Sequence, residues 1–580
     1  MATPATPITL RTARPLEGLR METSGPPGPA DGLVAEHLRL LGAGGEVRPG
    51  GRFAVSGWRS GPEAVTARTT WGDGVIDEAT VQAATGIMAV HGRRDGDPRG
   101  LAVDYAATAT GVLTVQALLA GLLAQARGGR LPGAHVSAER AGLLAVSQYL
   151  AAAGAEEGEA AELAPGGPPF ATRDGTLFEL ETLDPGGWAA FWRALGAPEE
   201  AIRRGWRPFQ FRYATACAPF PPVLHEIVRA CSWERVREAA GDAGADVCPL
   251  SSLARRAAEY DGAPPWELAA HQASYAGTAA PVDAPLAGLT VLEAGRRIQA
   301  PLTAHLLGLL GAEVVRIEPP GGDPLRGMPP ACSGVSARWL ALNRGKKAVE
   351  VDIKSPSDRE RLREMAERAD VFLHNWAPGK AARLGLDHEH LAAANPALVY
   401  AYTSGWAGRL PGAPMGTDFM VQARTGVGEA ARPADEPPAP SLMTLLDVLG
   451  GLLGTEAVLA GLLLRERTGC GVRVDSSLLG AADVLTAPAR ARAAQGLDPR
   501  QPAGFRRPLR TADGWIALPD HAAIPHDLRA RSTAQAVEHL RGRGLTAVPV
   551  VTDLSALLAT GSIRRDAHGA PAVPDPWSFA

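Results

Sequence analysis

One acid stands alone in an apolar stretch. In SLMTLLDVLGGLLGTEAVLAGLLLRERTG, residues 441–469, Asp447 lies near the start of a predicted helix, with no basic residue within ten positions on either side. A carboxylate among leucines is costly unless it is hydrogen-bonded or has chemistry to perform. Two roles suit it. It could cap the helix start, or it could be a nucleophile whose weak reactivity rises when water is shut out. A second feature is cationic: the only lysines are Lys346, Lys347, Lys354 and Lys380. Codon bias toward arginine explains their scarcity but not their clustering. A solvated face or a phosphate-binding patch would each account for it.

Composition removes several classes of function. The chain has 580 residues, too many for one core, and a formal net charge of −4 that gives no reason to expect a nucleic-acid partner. The five cysteines are scattered, without metal-ligand spacing or a disulfide framework, which favours a reducing cytoplasm. Apolar runs such as VLAGLLL stop short of the roughly 20 residues that span a bilayer, and the start lacks a signal-peptide core. No membrane partner is expected.

The elements that must position Asp447 read as an alternation. LTVLEAGR, AEVVRIEPP, KAVEVDI, DVFLHN and ALVYAYTSG are strand patterns, separated by helices such as PLTAHLLGLLG and PSDRERLREMAERA. That order predicts an α/β fold with an open parallel, Rossmann-like sheet. A nicotinamide or flavin site is disfavoured, because the first turn, EAGRRIQAP, has one glycine where a dinucleotide fingerprint needs three.

The halves echo each other. HLRLLGAGGEV (37–47) matches HLLGLLGAEVV (305–315) at an offset of 268, VQAATG (81–86) matches VQARTG (421–426) at 340, and TRDG (172–175) matches TADG (511–514) at 339. Asp104, ahead of its own apolar helix, pairs with Asp447 at 343. Matches in one order indicate a tandem duplication. The first copy lacks about 70 residues corresponding to 315–400, including all the lysines. The expected divisions are a flexible tail over 1–32, a degenerate copy with its small α+β domain over 33–260, and a linker over 261–288. A large domain over 289–490 and a reduced small domain with a C-terminal segment over 491–580 complete the chain.

Four segments then carry a resemblance: LAGLTVLEAGRRIQAPLTAHLLGLLGAEVVRIEPPGGDPLRG, LALNRGKKAVEVDIKSP, DVFLHNWAPGKAARLGLD and LLDVLGGLLGTEAVLAGLLLRERTGCGVRVDSSLLGA. In order and spacing they resemble the family III CoA-transferases, the CaiB/BaiF group, over 285–490 and more weakly over 33–260. The resemblance implies that Asp447 attacks an acyl-CoA thioester, forms an aspartyl–acyl anhydride and releases CoA thiolate. CoA then passes to an acceptor carboxylic acid. It implies CoA contacts at Gln299, Asn375 and Arg383 and at Lys346 or Lys347, with Asp418 assisting near the nucleophile and Gln422 one turn on. Lys354 reads as a surface residue. CoA and acyl-CoA are substrates here, with no tightly bound cofactor.

The chain also departs from the family. Thr417 stands where the racemase branch has a histidine, and Pro319 replaces an arginine that some members carry. The glycine-rich loop that covers the anhydride in formyl-CoA transferases is not recognisable. A silent CoA-binding scaffold and an acyl-CoA racemase or lyase are the alternative readings. Family members are interlocked homodimers, so two copies on one chain imply an intramolecular pseudo-dimer that is monomeric in solution. On that reading the first copy encloses Asp447, and Asp104 is a structural helix-start acid.

Overall fold

A computed structural model describes residues 10–46, 48–57, 63–159, 162–271, 284–522 and 527–580. Its largest sheet runs, edge to edge, Arg11–Thr12, Trp266–His271, Gly471–Ser477, Val399–Ser404, Val371–His374, Thr290–Ala294, Glu313–Glu318 and Lys347–Glu350. The strands from Gly471–Ser477 to Lys347–Glu350 are parallel, each pair joined by a helical or longer crossover. In chain order this is the doubly wound arrangement, with its reversal between Thr290–Ala294 and Val371–His374. Ligands of such sheets bind at the carboxyl ends of the strands flanking that reversal. The predicted α/β class and strand positions hold.

The second sheet belongs mostly to the first copy: Arg20–Ser24, Arg52–Ser56, Val65–Thr70, Gly133–Ser137 and Trp577–Phe579. The copies exchange their closing strands. Trp266–His271, which ends the first copy, lies antiparallel on Gly471–Ser477 of the second. Trp577–Phe579, which ends the second copy, lies antiparallel on Gly133–Ser137 of the first. Each strand is pinned by its tryptophan: the Trp266 indole donates to Glu456 (3.2 Å) and the Trp577 indole to the Leu113 carbonyl (2.9 Å). The two copies are therefore topologically interlocked along one chain.

Two expected divisions need correction. The tail over 1–32 is not loose where it is described. Leu16, Leu19 and Met21 are buried, Arg20–Ser24 is a strand, and a helix runs Asp31–Leu40. The Leu16 N–H donates to the Leu41 carbonyl (2.9 Å) just as Leu286 does to Leu310 (3.0 Å), so this is the first copy's own opening strand and helix. Its proline and glycine content reflects turns around ordered strands. The linker over 261–288 contains the exchanged strand Trp266–His271, and residues 272–283 lie outside those described.

At the centre, two helices pack side by side: Tyr105–Ala126 and Leu445–Thr468. Both are long and apolar enough to cross a membrane, but they are buried almost end to end as core helices. The Tyr105 hydroxyl donates to the Leu445 carbonyl (2.9 Å) and the Gln116 amide to Leu452 (2.7 Å), tying copy to copy. Close approach of Gln299–Leu309 to Leu445–Thr468 depends on glycines. A Cβ at Gly450 would stand 2.9 Å from Gln299 Nε2, and one at Gly454 would stand 2.6 Å from Thr303 Oγ1. This is where glycine is required: with it, the crevice helix lies directly on the first turns after Asp447.

Candidate active site

Asp447 lies in the first turn of Leu445–Thr468, whose N-cap is Thr444, so the capping role falls away. Thr444 itself has φ +54°, a left-handed turn that swings the chain from 441–443 into the helix. The Asp447 N–H donates to Asp418 Oδ2 (2.7 Å). Among the described residues, no hydrogen bond or ion pair engages the Asp447 carboxyl itself. Asp418 is fully buried and is held by the Gln422 amide, which also grips the turn before Asp447 through Ser441 N–H (2.8 Å) and Ser441 carbonyl (2.9 Å). The structure thus brings together Asp447, Asp418 and Gln422 as the sequence implied, with Asp418 fixing the backbone and leaving the Asp447 carboxyl unengaged.

Burial pushes the Asp447 carboxyl up to about 8, helped by the Asp418 charge and opposed by Arg297. Burial also raises Asp418, to about 6, against the stabilising pull of Gln422 and of the Asp447 and Leu446 N–H groups. Asp418 accepts the Gln422 amide and backbone N–H groups while the Asp447 carboxyl has no donor, so the proton the pair shares is favoured on Asp447. The helix start does not keep Asp447 ionised, because its nearby N–H groups serve Asp418.

The first copy's small domain walls this site. Thr417 donates its hydroxyl to Glu181 (2.8 Å), which pairs with Arg212 (3.0 Å). Tyr213 stacks under the Arg297 guanidinium, 5.6 Å from its ring centroid. The Tyr149 hydroxyl joins the Tyr213 carbonyl (3.0 Å) to that of Leu442 (3.5 Å).

At the strand reversal, Asn375 accepts the Arg296 N–H and donates to its carbonyl, both at 2.9 Å, bridging the two strands that flank the crevice. Arg383 is exposed nearby, and Arg296, Arg383 and Lys354 all push the Lys380 ammonium down, after burial. Among the described residues, none of these four cations has a carboxylate partner. Unpaired cations at the carboxyl ends of strands suit a phosphorylated ligand. Asn375 and Arg383, expected as CoA contacts, lie at this reversal, and Lys354, read as a surface residue, lies with them. Arg296 and Lys380 were missed; the lysine clustering was the available signal.

Gln299 is buried against Gly450, three residues beyond Asp447 on the same helix, with only a long contact (3.5 Å) to the Ser404 carbonyl. The two remaining lysines are corrected. Lys346 is buried, donating to Glu293 (2.8 Å), the Pro301 carbonyl (2.8 Å) and Asn343 (2.9 Å), so all three of its protons are used internally. Lys347 begins the edge strand and pairs with Glu313 (2.8 Å) at the amino ends of the strands, the end opposite the crevice. Neither is placed to hold a phosphate. Lys346→Met should therefore lower stability by about 1–3 kcal/mol, because Glu293 loses one of two buried cationic partners and keeps Arg316, while CoA affinity of the folded fraction stays unchanged. Denaturant melts and calorimetric titration check both halves of that expectation.

The first copy has no carboxyl at the position corresponding to Asp447. Glu78 accepts from Ala106 and Ala107 (2.8 Å each) as Asp418 accepts from Asp447, and Gln82 grips Leu101 as Gln422 grips Ser441. The register offset is therefore 340, which puts Ala107 at the place of Asp447 and Asp104 at the place of the N-cap Thr444. The sequence match of Asp104 to Asp447 was off by nearly one helical turn. Arg506 of the second copy's small domain fills the space: it is buried and pairs with Asp104 (2.5 Å) and Asp520 (2.6 Å).

The sequence was compared with known proteins. The family model "CoA-transferase family III" matches residues 70–261 and 286–541. A mouse succinyl-CoA:glutarate CoA-transferase is 35% identical over 34% of this chain and 45% of its own length. The acetyl-CoA:oxalate CoA-transferase of Acetobacter aceti is 36% identical over 33% and 51%. A solved CaiB/BaiF family protein from Brucella suis is 26% identical, with a TM-score of 0.46 over 52% of this chain and 93% of that one. The chain spans about half the length of the curated relatives named here.

Proposed function

The chain belongs to CoA-transferase family III, and on that premise we propose that it moves CoA between an acyl-CoA and a carboxylic acid, with Asp447 as nucleophile. The observation that carries this reading is the unengaged Asp447 carboxyl, held in place by its own N–H on Asp418. The ionised carboxylate adds to the thioester carbonyl, the C–S bond breaks, and CoA thiolate leaves with the electron pair. Return of the thiolate to the acyl carbon only reverses the step. Attack on the Asp447 carbonyl carbon releases the donor acid and leaves CoA as a thioester on Asp447. An acceptor carboxylate then runs the two steps in reverse.

Arg296, Lys354, Lys380 and Arg383 orient the phosphates, Asn375 fixes the Arg296 backbone among them, and Gln299 borders the reacting end. Closure by the first copy's small domain limits water, which would hydrolyse the anhydride. Racemisation is not favoured, since the Thr417 hydroxyl is spent on Glu181 and cannot serve as base. The first copy, with Ala107 and the Arg506 plug, is silent. Because the copies satisfy each other's faces, the protein is a monomeric pseudo-dimer.

The relatives' names define the assay: succinyl-CoA and acetyl-CoA as donors, glutarate and oxalate as acceptors, product acyl-CoA read by chromatography. Transfer should occur for at least one pair, and calorimetric titration with CoA should give a stoichiometry near one per chain. Thioester hydrolysis without transfer, or two sites per chain, would overturn the proposal.

A further inference from the structure

Resting on the transfer reading, we infer that Arg297 selects the substrate: it holds the second carboxylate of a dicarboxylic acyl group while the first carboxyl carbon reacts at Asp447. Arg297 lies in the turn between Thr290–Ala294 and Gln299–Leu309, two residues before Gln299, which packs on Gly450 one turn beyond Asp447. Its φ is +61°, in a region that favours glycine. The strained turn carries an exposed guanidinium beside the Tyr213 ring.

The guanidinium rests on the Tyr213 ring, 5.6 Å from its centroid, and Tyr213 is tied through Tyr149 to the Leu442 carbonyl in the turn leading into Asp447. A cation–π approach of this length holds the guanidinium near the ring while using none of its N–H groups, which stay available to an anion. Other arginines around the site are occupied. Arg212 serves Glu181 and the Phe209 carbonyl, and Arg338 serves Glu159 and two carbonyls. Among the described residues, Arg297 has no hydrogen-bond acceptor, and it is exposed.

A phosphate of CoA is not its partner. The thioester end of CoA must lie at Asp447, whereas the unpaired cations at the strand reversal mark the opposite end of that ligand. Arg296 and Arg297 diverge accordingly, one toward Lys380 and the other toward Tyr213. A monocarboxylic acyl chain would lay methylenes against a bare guanidinium. A dicarboxylic one would meet it with a fork-matched anion.

The full-length protein should be assayed with succinyl-CoA and with butyryl-CoA, which has the same chain length without the far carboxylate. The parent should favour succinyl-CoA in kcat/KM. Arg297→Met should lower kcat/KM for succinyl-CoA by about 10- to 100-fold more than for butyryl-CoA, whose smaller loss reads only the removal of a charge that favours ionised Asp447. Arg297→Lys should recover part of the loss. An equal fall with both donors, together with a displaced pH profile, would show that Arg297 acts on Asp447 and overturn the inference. Binding in an Asp447→Asn background needs no turnover. There, a tighter Kd for succinyl-CoA that Arg297→Met abolishes supports the inference even if transfer fails. Equal Kd values overturn it whatever the enzyme does.

Discussion

Asp447→Asn should lower acyl transfer by at least about 10⁴-fold, because an amide cannot form the anhydride and no second carboxyl reaches the same place. Asp418 cannot substitute: it is buried and bound to Gln422 and to the Asp447 N–H. The fold should survive, since no cap or ion pair is removed. With burial holding Asp447 near 8, the parent's kcat/KM should rise with pH and level off above about 8, as the nucleophile loses its proton. Stability runs the other way. The folded chain keeps a proton that the unfolded chain releases in the ordinary carboxylate range, so folding loses free energy as pH rises from there to about 8. Asp447→Asn should thus melt higher than the parent above that pH and near the parent in mild acid. A rate that is flat with pH, or a variant that still transfers, would contradict the assignment.

The second large effect concerns the interlock. Residues 285–580 expressed alone should be insoluble or inactive. They would lack Trp266–His271 from the edge of Gly471–Ser477, the Tyr105–Ala126 helix from the core, and Glu181, Arg212 and Tyr213 from the wall of the site. A bare apolar face of that extent drives aggregation. Co-expression of the halves, with the chain cut inside 272–283, should restore soluble protein and activity. A soluble, active second half would reject the first copy's part in the site.

The sheet was legible in the sequence because parallel strands buried on both faces read as short apolar runs between amphipathic helices. The strand exchange was not. Trp266–His271 and Trp577–Phe579 follow proline-rich stretches that resemble loops, and their partners lie 200 or more positions away, set by tertiary packing alone. Asp447 was legible as a carboxylate in an apolar run, yet the same cue misled at Asp104, where only the contacts of Glu78 and Gln82 reveal the register. The lysine clustering pointed to this region but could not separate Lys346, spent on Glu293, from Lys380, which has no carboxylate partner among the described residues. That difference depends on which neighbouring strands carry acids. Arg297 gave no sequence signal, because its significance rests on a backbone angle and on Tyr213 from the other copy.

The central claim is that acyl transfer passes through a covalent bond to Asp447. The most direct measurement is to incubate the protein with succinyl-CoA and hydroxylamine and to locate modified residues by mass spectrometry of the digested chain. A hydroxamate on Asp447, dependent on acyl-CoA and absent from Asp447→Asn, is the expected result. Continued CoA transfer with Asp447 unmodified, or with the hydroxamate on Asp418 or Glu181 instead, would contradict it.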